Sequence, residues 1–324
     1  MPYQVPILLI TFNRPDHTRQ VLSRILEVQP QNLYVFQDGA REGNEADLQK
    51  CAQVREVVEK LTKDTATQLH TFFSDKNLGC GPGPASAITW FFDNVEQGLV
   101  FEDDCVPHPD FFAYCELLLN KYKEDERVAL IGGCNYGYKI KDGTSYDFGS
   151  GHHQTWGWAS WRRVWKYFDY TLLDYSEEEF YKVVCGYYKS FRQRDYWNRV
   201  FKLVKKDQLN GSCWDYQFYF SLWRRKMFAI YPCVNLISNV GFGDDATHTN
   251  SQSNEMLSRQ TAPILPLRHP ESVALNRKID DFMMRSYIIP YQYGVSGLKR
   301  FPYRVNSFVK HLVGHEGPWL KKKK

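Results

Sequence analysis

Four times within the first 125 residues a short, nearly continuous apolar run gives way to a polar tip and then to apolar positions at helical spacing. VPILLITFN breaks at Asn13-Arg14-Pro15, after which Val21, Leu22, Ile25 and Leu26 share one helical face. NLYVFQDGA leads into a polar helix through about Lys60, LHTFFSD into a helix from Pro84 to Asn94, and GLVFEDD into one from Asp110 to Tyr122. Strands apolar on both faces and alternating with helices predict an α/β fold with a parallel, doubly wound sheet. Ligands of such sheets lie beyond the carboxyl ends of the strands.

From Arg127 the alternation weakens. RVALIGGCNY is followed by the tryptophan-dense GHHQTWGWASWRRVW, then by long helical stretches, the acidic signal in GSCWDYQFYFSLW and the loop NVGFGDDATHTN. Beyond about Asn250 the chain is rich in Pro, Ser and charge, with a helix expected near Leu275 to Tyr287. No internal repeat or linker separates the parts, so the second half is expected to be built onto the first.

The 324 residues suffice for a large core, and a 43% hydrophobic, 24% charged composition is that of an ordered globular chain. Rings make up 16% of residues, enough to line a cleft as well as pack a core. The net charge of +4 is too small for a nucleic-acid binder and no nucleic-acid motif is present. Basic residues gather in Lys299, Arg300, Arg304, Lys310 and Lys321 to Lys324, among Phe301, Tyr303, Phe308 and Trp319. That mixture reads either as a solvated tail or as a segment resting on an anionic membrane surface. Eight scattered cysteines without a Cys-x-x-Cys pair, and an N-terminus without signal-peptide features, lead us to expect reduced thiols and a cytoplasmic protein. No apolar run approaches the roughly 20 residues of a membrane span.

The polar tips line up as neighbours: Thr11, Asn13 and Arg14 after the first strand, Asp38 after the second, Asp75 to Asn77 after the third, and Glu102-Asp103-Asp104 after the fourth. Three successive carboxylates repel one another unless something positive sits among them. Hard oxygen ligands of this kind suit Mg²⁺ or Mn²⁺, which leave positions open for phosphate oxygens. Each tip alone also reads as a simple turn, since Asp, Asn and Gly favour turns for local reasons.

ILLITFNRP, FQDGAREGNE, NLGCGPGPASAITWFF, VFEDDCVPHPDFF, HQTWGWASWRRVW, CWDYQFYFSLW and NVGFGDDATHT, taken together over residues 5 to 250, resemble the bacterial nucleotide-diphospho-sugar transferases of the GT-A glycosyltransferase fold. They are more distantly similar to the N-acetylglucosaminyltransferase I group. The resemblance implies a GT-A, Rossmann-like, mostly parallel sheet flanked by helices, with a helical and loop-rich C-terminal acceptor region. Residues 1–126 would be the nucleotide-sugar-binding half and 127–250 the acceptor and catalytic half of one domain. Residues 251–324 would be an extension able to touch a membrane.

It further implies a metal-dependent, inverting transferase acting on a UDP-sugar, and the basic, aromatic C-terminal region points to a glycan or lipid-linked acceptor. Asn13 and Arg14 would lie at the nucleotide, Asp38 at the base and Asn77 as a further donor contact. Glu102 and Asp103 would face the sugar nucleotide, and Asp104 would be the direct ligand of Mn²⁺ or Mg²⁺. Asp215 matches the general base, His248 could reach the metal or diphosphate, and Arg162 or Arg163 could steady the leaving diphosphate. The text after Asn-Leu-Gly-Cys departs from the family, with Gly81 where a basic residue is usual. Sugar-phosphate nucleotidyl transfer and non-catalytic glycan binding are the alternative functions; no lysine-bearing glycine loop follows the first strand.

Bland readings stand beside these. Asp215 opens an aromatic helix and would serve there as a cap or a charge at the dipole. His152 and His153, next to Gly and Ser, read as surface loop residues. Trp158, Trp161 and Trp165 recur at helical spacing and read as core, leaving Trp156 as the better sugar platform. Asp244 and Asp245 read equally as turn residues or acceptor ligands.

Overall fold

The computed structural model describes residues 2–140, 143–206, 211, 213–241 and 260–288. Residues Met1–Asp280 form one compact unit and Asp281–Lys324 a second. The expected succession is present: β1 (Ile7–Thr11), α1 (Pro15–Leu26), β2 (Asn32–Gln37), α2 (Glu45–Thr62), β3 (Gln68–Phe73), α3 (Pro82–Asn94) and β4 (Gln97–Glu102). Then follow β5 (Cys105–Pro107), α4 (Asp110–Lys121), β6 (Val128–Gly132), β7 (Tyr146–Gly149), β8 (Trp158–Trp161) and α5 (Arg162–Trp165). The remainder is α6 (Glu177–Tyr187), α7 (Phe191–Lys205), α8 (Asp215–Arg224), β9 (Phe228–Pro232), β10 (Ile237–Asn239) and α9 (Arg277–Met283), with a π-helical turn at Met284–Ile288.

The main sheet has the order β3-β2-β1-β4-β8-β6-β9-β7. Strands β1 to β4 pair in parallel, β6 pairs in parallel with β9, and only β8 and β7 run against the rest. The fold is therefore α/β with a mixed, mostly parallel sheet, as the sequence led us to expect. β1 is buried along its whole length because it lies between β2 and β4 with helices over both faces. The crossovers place those helices: two steps toward β3 carry α1 and α2 over one face, and the return to β4 carries α3 over the other.

Local sequence explains the helix starts. Pro15 and Pro82 stand in the first turns of α1 and α3, where a missing N–H costs nothing. Asn44 caps α2 by accepting from the Asp47 N–H. The tryptophan run differs from expectation: Trp158–Trp161 is a strand, inserted antiparallel between β4 and β6 and buried on both faces. Trp158, Trp161 and Trp165 are core residues, as their apolar bulk suggested. Behind this sheet α6, α7 and α8 close around an aromatic cluster in which Phe180 stacks on Phe201 at 4.1 Å and Trp197 meets Trp223 edge-on at 4.9 Å.

Candidate functional site

Because β1, β2, β3 and β4 are parallel, their carboxyl ends share one edge, and the polar tips read from the sequence meet there. β8 enters the sheet from the same edge, since Trp158 pairs with Val100 and Trp161 with Gln97. The loop that precedes it, with Thr155 and Trp156, is thereby brought to the side where Glu102-Asp103-Asp104 emerge. A small antiparallel sheet of β5 and β10 continues from the triplet, pairing Cys105 with Asn239.

The positive charge that the triplet requires is Arg14. Its Nη2 and Nε both donate to Asp103, the latter at 3.4 Å, while Nη1 donates to Asp104 Oδ2 at 3.0 Å. Asp104 Oδ1 accepts from Asn239 Nδ2 at 3.2 Å and from the Cys105 thiol at 3.3 Å. Burial, reinforced by the charges of Asp104 and Asp103, pushes the Glu102 carboxyl well above the usual carboxylate range. Burial acts in the same direction on Asp103, where Arg14 and the Phe12 N–H oppose it.

The other tips are knitted to one another. Thr11 Oγ1 donates to the Phe36 carbonyl, a link between β1 and β2. Asn13 Nδ2 donates to Asp47, which also holds Arg41 and whose carboxyl is kept down at about 2, chiefly by that guanidinium. Asp38 accepts the N–H groups of Gly39, Leu78 and Gly79, and Asn77 Nδ2 donates to Asp38 Oδ2 and to the Gly39 carbonyl. Asp38 thus organises the loop from β3 to α3. Gly81 in that loop has no room for a side chain: a methyl group there would overlap the Gly211 carbonyl oxygen. Its missing basic side chain is a packing requirement of this chain.

Asp215 is the first residue of α8, half-buried, and burial lifts its carboxyl to about 6 against the opposing helix-start amides. Its charge reaches Glu102 and adds to that group's upward shift. Tyr219, one turn on, bonds Thr155 Oγ1 at 3.1 Å and accepts the His153 N–H, tying the Trp156 loop to α8. Trp156 is half-buried, 6.4 Å from the Tyr136 ring. His248, Asp244, Asp245 and the basic, aromatic stretch from Lys299 lie outside the described residues.

Two expectations are corrected. Arg162 pairs with Glu96 and donates to the Phe92 carbonyl, and Arg163 donates to the carbonyls of Lys123, Tyr122, Asp125 and Val128. Both stand beyond Gln97, at the opposite end of β4 from Glu102, because the antiparallel register of β8 carries them there. They are structural ties and do not face a diphosphate. His152 is fully buried, with Nδ1 2.8 Å from Ser150 Oγ and 3.0 Å from the Tyr188 hydroxyl. Burial holds it neutral.

The sequence reading passed over Cys105, Asn239 and Gly241. Glu102, Asp104 and Cys105 each place a ligand atom within 4.8 Å of the others, alone in this respect among the described residues. Two carboxylates suit a hard divalent cation, the thiol less so. The donor set therefore fits Mg²⁺ or Mn²⁺. Cys105 follows the triplet directly and was the signal at hand.

No family profile and no curated protein matches this chain. Among solved structures it is similar to HddC from Yersinia pseudotuberculosis, at 9% identity and TM-score 0.30 over 49% of this chain and 78% of that one. It is similar at 8% identity and TM-score 0.31 to the inositol-1-phosphate CTP transferase from T. maritima, over 51% and 73% of the two chains. A third similarity is to 4-diphosphocytidyl-2C-methyl-D-erythritol synthase from Anaerococcus prevotii, at 7% identity and TM-score 0.30, over 51% and 74%. Likenesses this low add nothing to the topology already described.

Proposed function

We propose that the chain is a metal-dependent, inverting glycosyltransferase that moves a sugar from a nucleoside-diphosphate sugar, UDP-linked by preference, to a glycan or lipid-linked acceptor. The observation that carries this reading is the convergence of Asp215 and the Glu102-Asp103-Asp104 triplet at one edge of the sheet, within electrostatic reach of each other. An acceptor hydroxyl is a poor nucleophile until a base takes its proton. Asp215, lifted to about 6, is ionised at neutral pH yet basic enough for that task. As the acceptor oxygen bonds to the anomeric carbon, the bond from that carbon to the diphosphate breaks and its electron pair leaves with the nucleotide. One displacement inverts the centre. Glu102 and Asp104 would hold the divalent ion, whose charge, when bound, neutralises the leaving diphosphate.

The same fold could serve nucleotidyl transfer, the second reading. Against it, β1 passes to α1 through Phe12, Asn13 and Arg14 alone, without the lysine-bearing glycine loop that cradles a triphosphate. Products separate the two. With UDP-sugars and a glycan acceptor, Mn²⁺-dependent release of UDP supports glycosyl transfer, whereas pyrophosphate from a nucleoside triphosphate and a sugar phosphate would replace it.

Donor binding is tested by thermal shift with UDP and UDP-sugars, with and without Mn²⁺, since a native-state ligand raises the melting temperature. Asp104→Ala should abolish the Mn²⁺-dependent part of the shift. No helix among the described residues is long and apolar enough to span a membrane. We place the chain at the cytoplasmic side, touching the membrane peripherally through the stretch from Lys299. Equal retention by anionic vesicles of the full chain and of one cut before Lys299 would reject that contact.

A further inference from the structure

We propose that Arg14 is the resident counter-cation of the acidic triplet and couples divalent-ion binding to diphosphate binding; this deepens the function proposed above and rests on its metal site. The guanidinium side chain is 24% exposed while the carboxylates it holds, Asp103 and Asp104, are 3% and 12% exposed. The acids therefore meet their cation, and solvent meets the cation. Asp104 has no idle oxygen: Oδ2 is taken by Arg14, and Oδ1 by Asn239 and the Cys105 thiol.

The chain also crowds Asp104 on the side of Arg14. Val240 donates its N–H to the Asp104 carbonyl, and Gly241 packs so near that a methyl group on it would overlap Asp104 Oδ2 and stand 3.1 Å from Arg14 Nη1. A divalent ion taking Asp104 Oδ2 must then share it with Arg14, and two cations sharing one carboxylate repel. An arriving anion offers Arg14 a second partner. A guanidinium fork fits phosphate oxygens as well as it fits carboxylates, so a diphosphate would draw it off Asp104 and leave that oxygen to the ion. Its backbone carbonyl stays fixed in the first turn of α1, accepting from Thr18, so only side-chain torsions need change. Diphosphate and ion then favour each other reciprocally.

The test measures Mn²⁺ binding, without turnover, from the electron paramagnetic resonance signal of free Mn²⁺, for the wild type, Arg14→Met and Arg14→Lys. Without nucleotide, Arg14→Met should bind Mn²⁺ about tenfold more tightly than wild type, and UDP, after correction for its own Mn²⁺ complex, should tighten binding only in the wild type. Arg14→Lys, a point charge without the fork, should fall between them. Equal or weaker Mn²⁺ binding by Arg14→Met, or undiminished coupling to UDP, overturns the proposal. Should Arg14→Met unfold without metal, refolding by Mn²⁺, read by circular dichroism, supports the proposal and its failure counts against it. Absence of Mn²⁺ binding in all three proteins removes the metal site together with this inference, whereas loss of glycosyl transfer alone leaves the coupling standing.

Discussion

A carboxylate whose proton affinity is raised by the fold is a liability to stability and an asset to chemistry, and Asp215 illustrates both. The folded protein binds its proton more tightly than the unfolded chain does, so this group costs stability as pH rises through about 6. Asp215→Asn should accordingly raise the unfolding free energy at pH 8, measured in urea, by on the order of 1–2 kcal/mol after allowance for partial exposure, with the gain shrinking toward pH 5. The same variant should bind donor normally and transfer nothing. In the wild type the rate should climb about tenfold per pH unit below 6 and level off above it, the profile of a base that works ionised. Burial raises the Asp38 carboxyl as well, but its work is structural. Asp38→Ala strands the N–H groups of Leu78 and Gly79 and should cost about 2–4 kcal/mol in urea unfolding, weakening UDP binding with it. The sequence displayed the acids themselves, because three adjacent carboxylates cannot be ordinary core. It did not display their partners: Arg14 meets Asp103 and Asp104 across about 90 positions of chain, and no local pattern encodes that pairing.

At the scale of elements, apolar runs buried on both faces read clearly as strands where a helix followed each of them. Legibility failed at β8, whose four residues are all buried, so that a period of two could not show and the spacing of Trp158, Trp161 and Trp165 imitated a helix. That strand decides where the Trp156 loop and the two arginines behind it go. The junction between α3 and the turn before α8 is equally tight. Gly81→Ala would press a methyl group against the Gly211 carbonyl, and the turn leading to Asp215 would have to yield. We expect a melting temperature several degrees lower and a kcat reduced more than the affinity for UDP, measured by steady-state kinetics beside a binding titration.

For the molecule as a whole, fold class and the succession of strands and helices along the first half followed from periodicity, whereas the order of the strands and the closure of the sheet did not, because they depend on pairings between distant segments. The strand β8 pairs with β4 on one side and β6 on the other. A chain ending at residue 126 would present the flank of Gln97, Gly98, Leu99 and Val100 without its β8 neighbour, a template for the same flank on another copy. Such a fragment should be recovered as aggregates, and co-expression with residues 127–324 should return it to the soluble fraction. Nascent chains meet the same hazard. Every ribosome making this protein must extrude about 55 further residues after β4 ends at Glu102 before the plug that seals that flank begins at Trp158, an interval in which a chaperone would find its natural substrate.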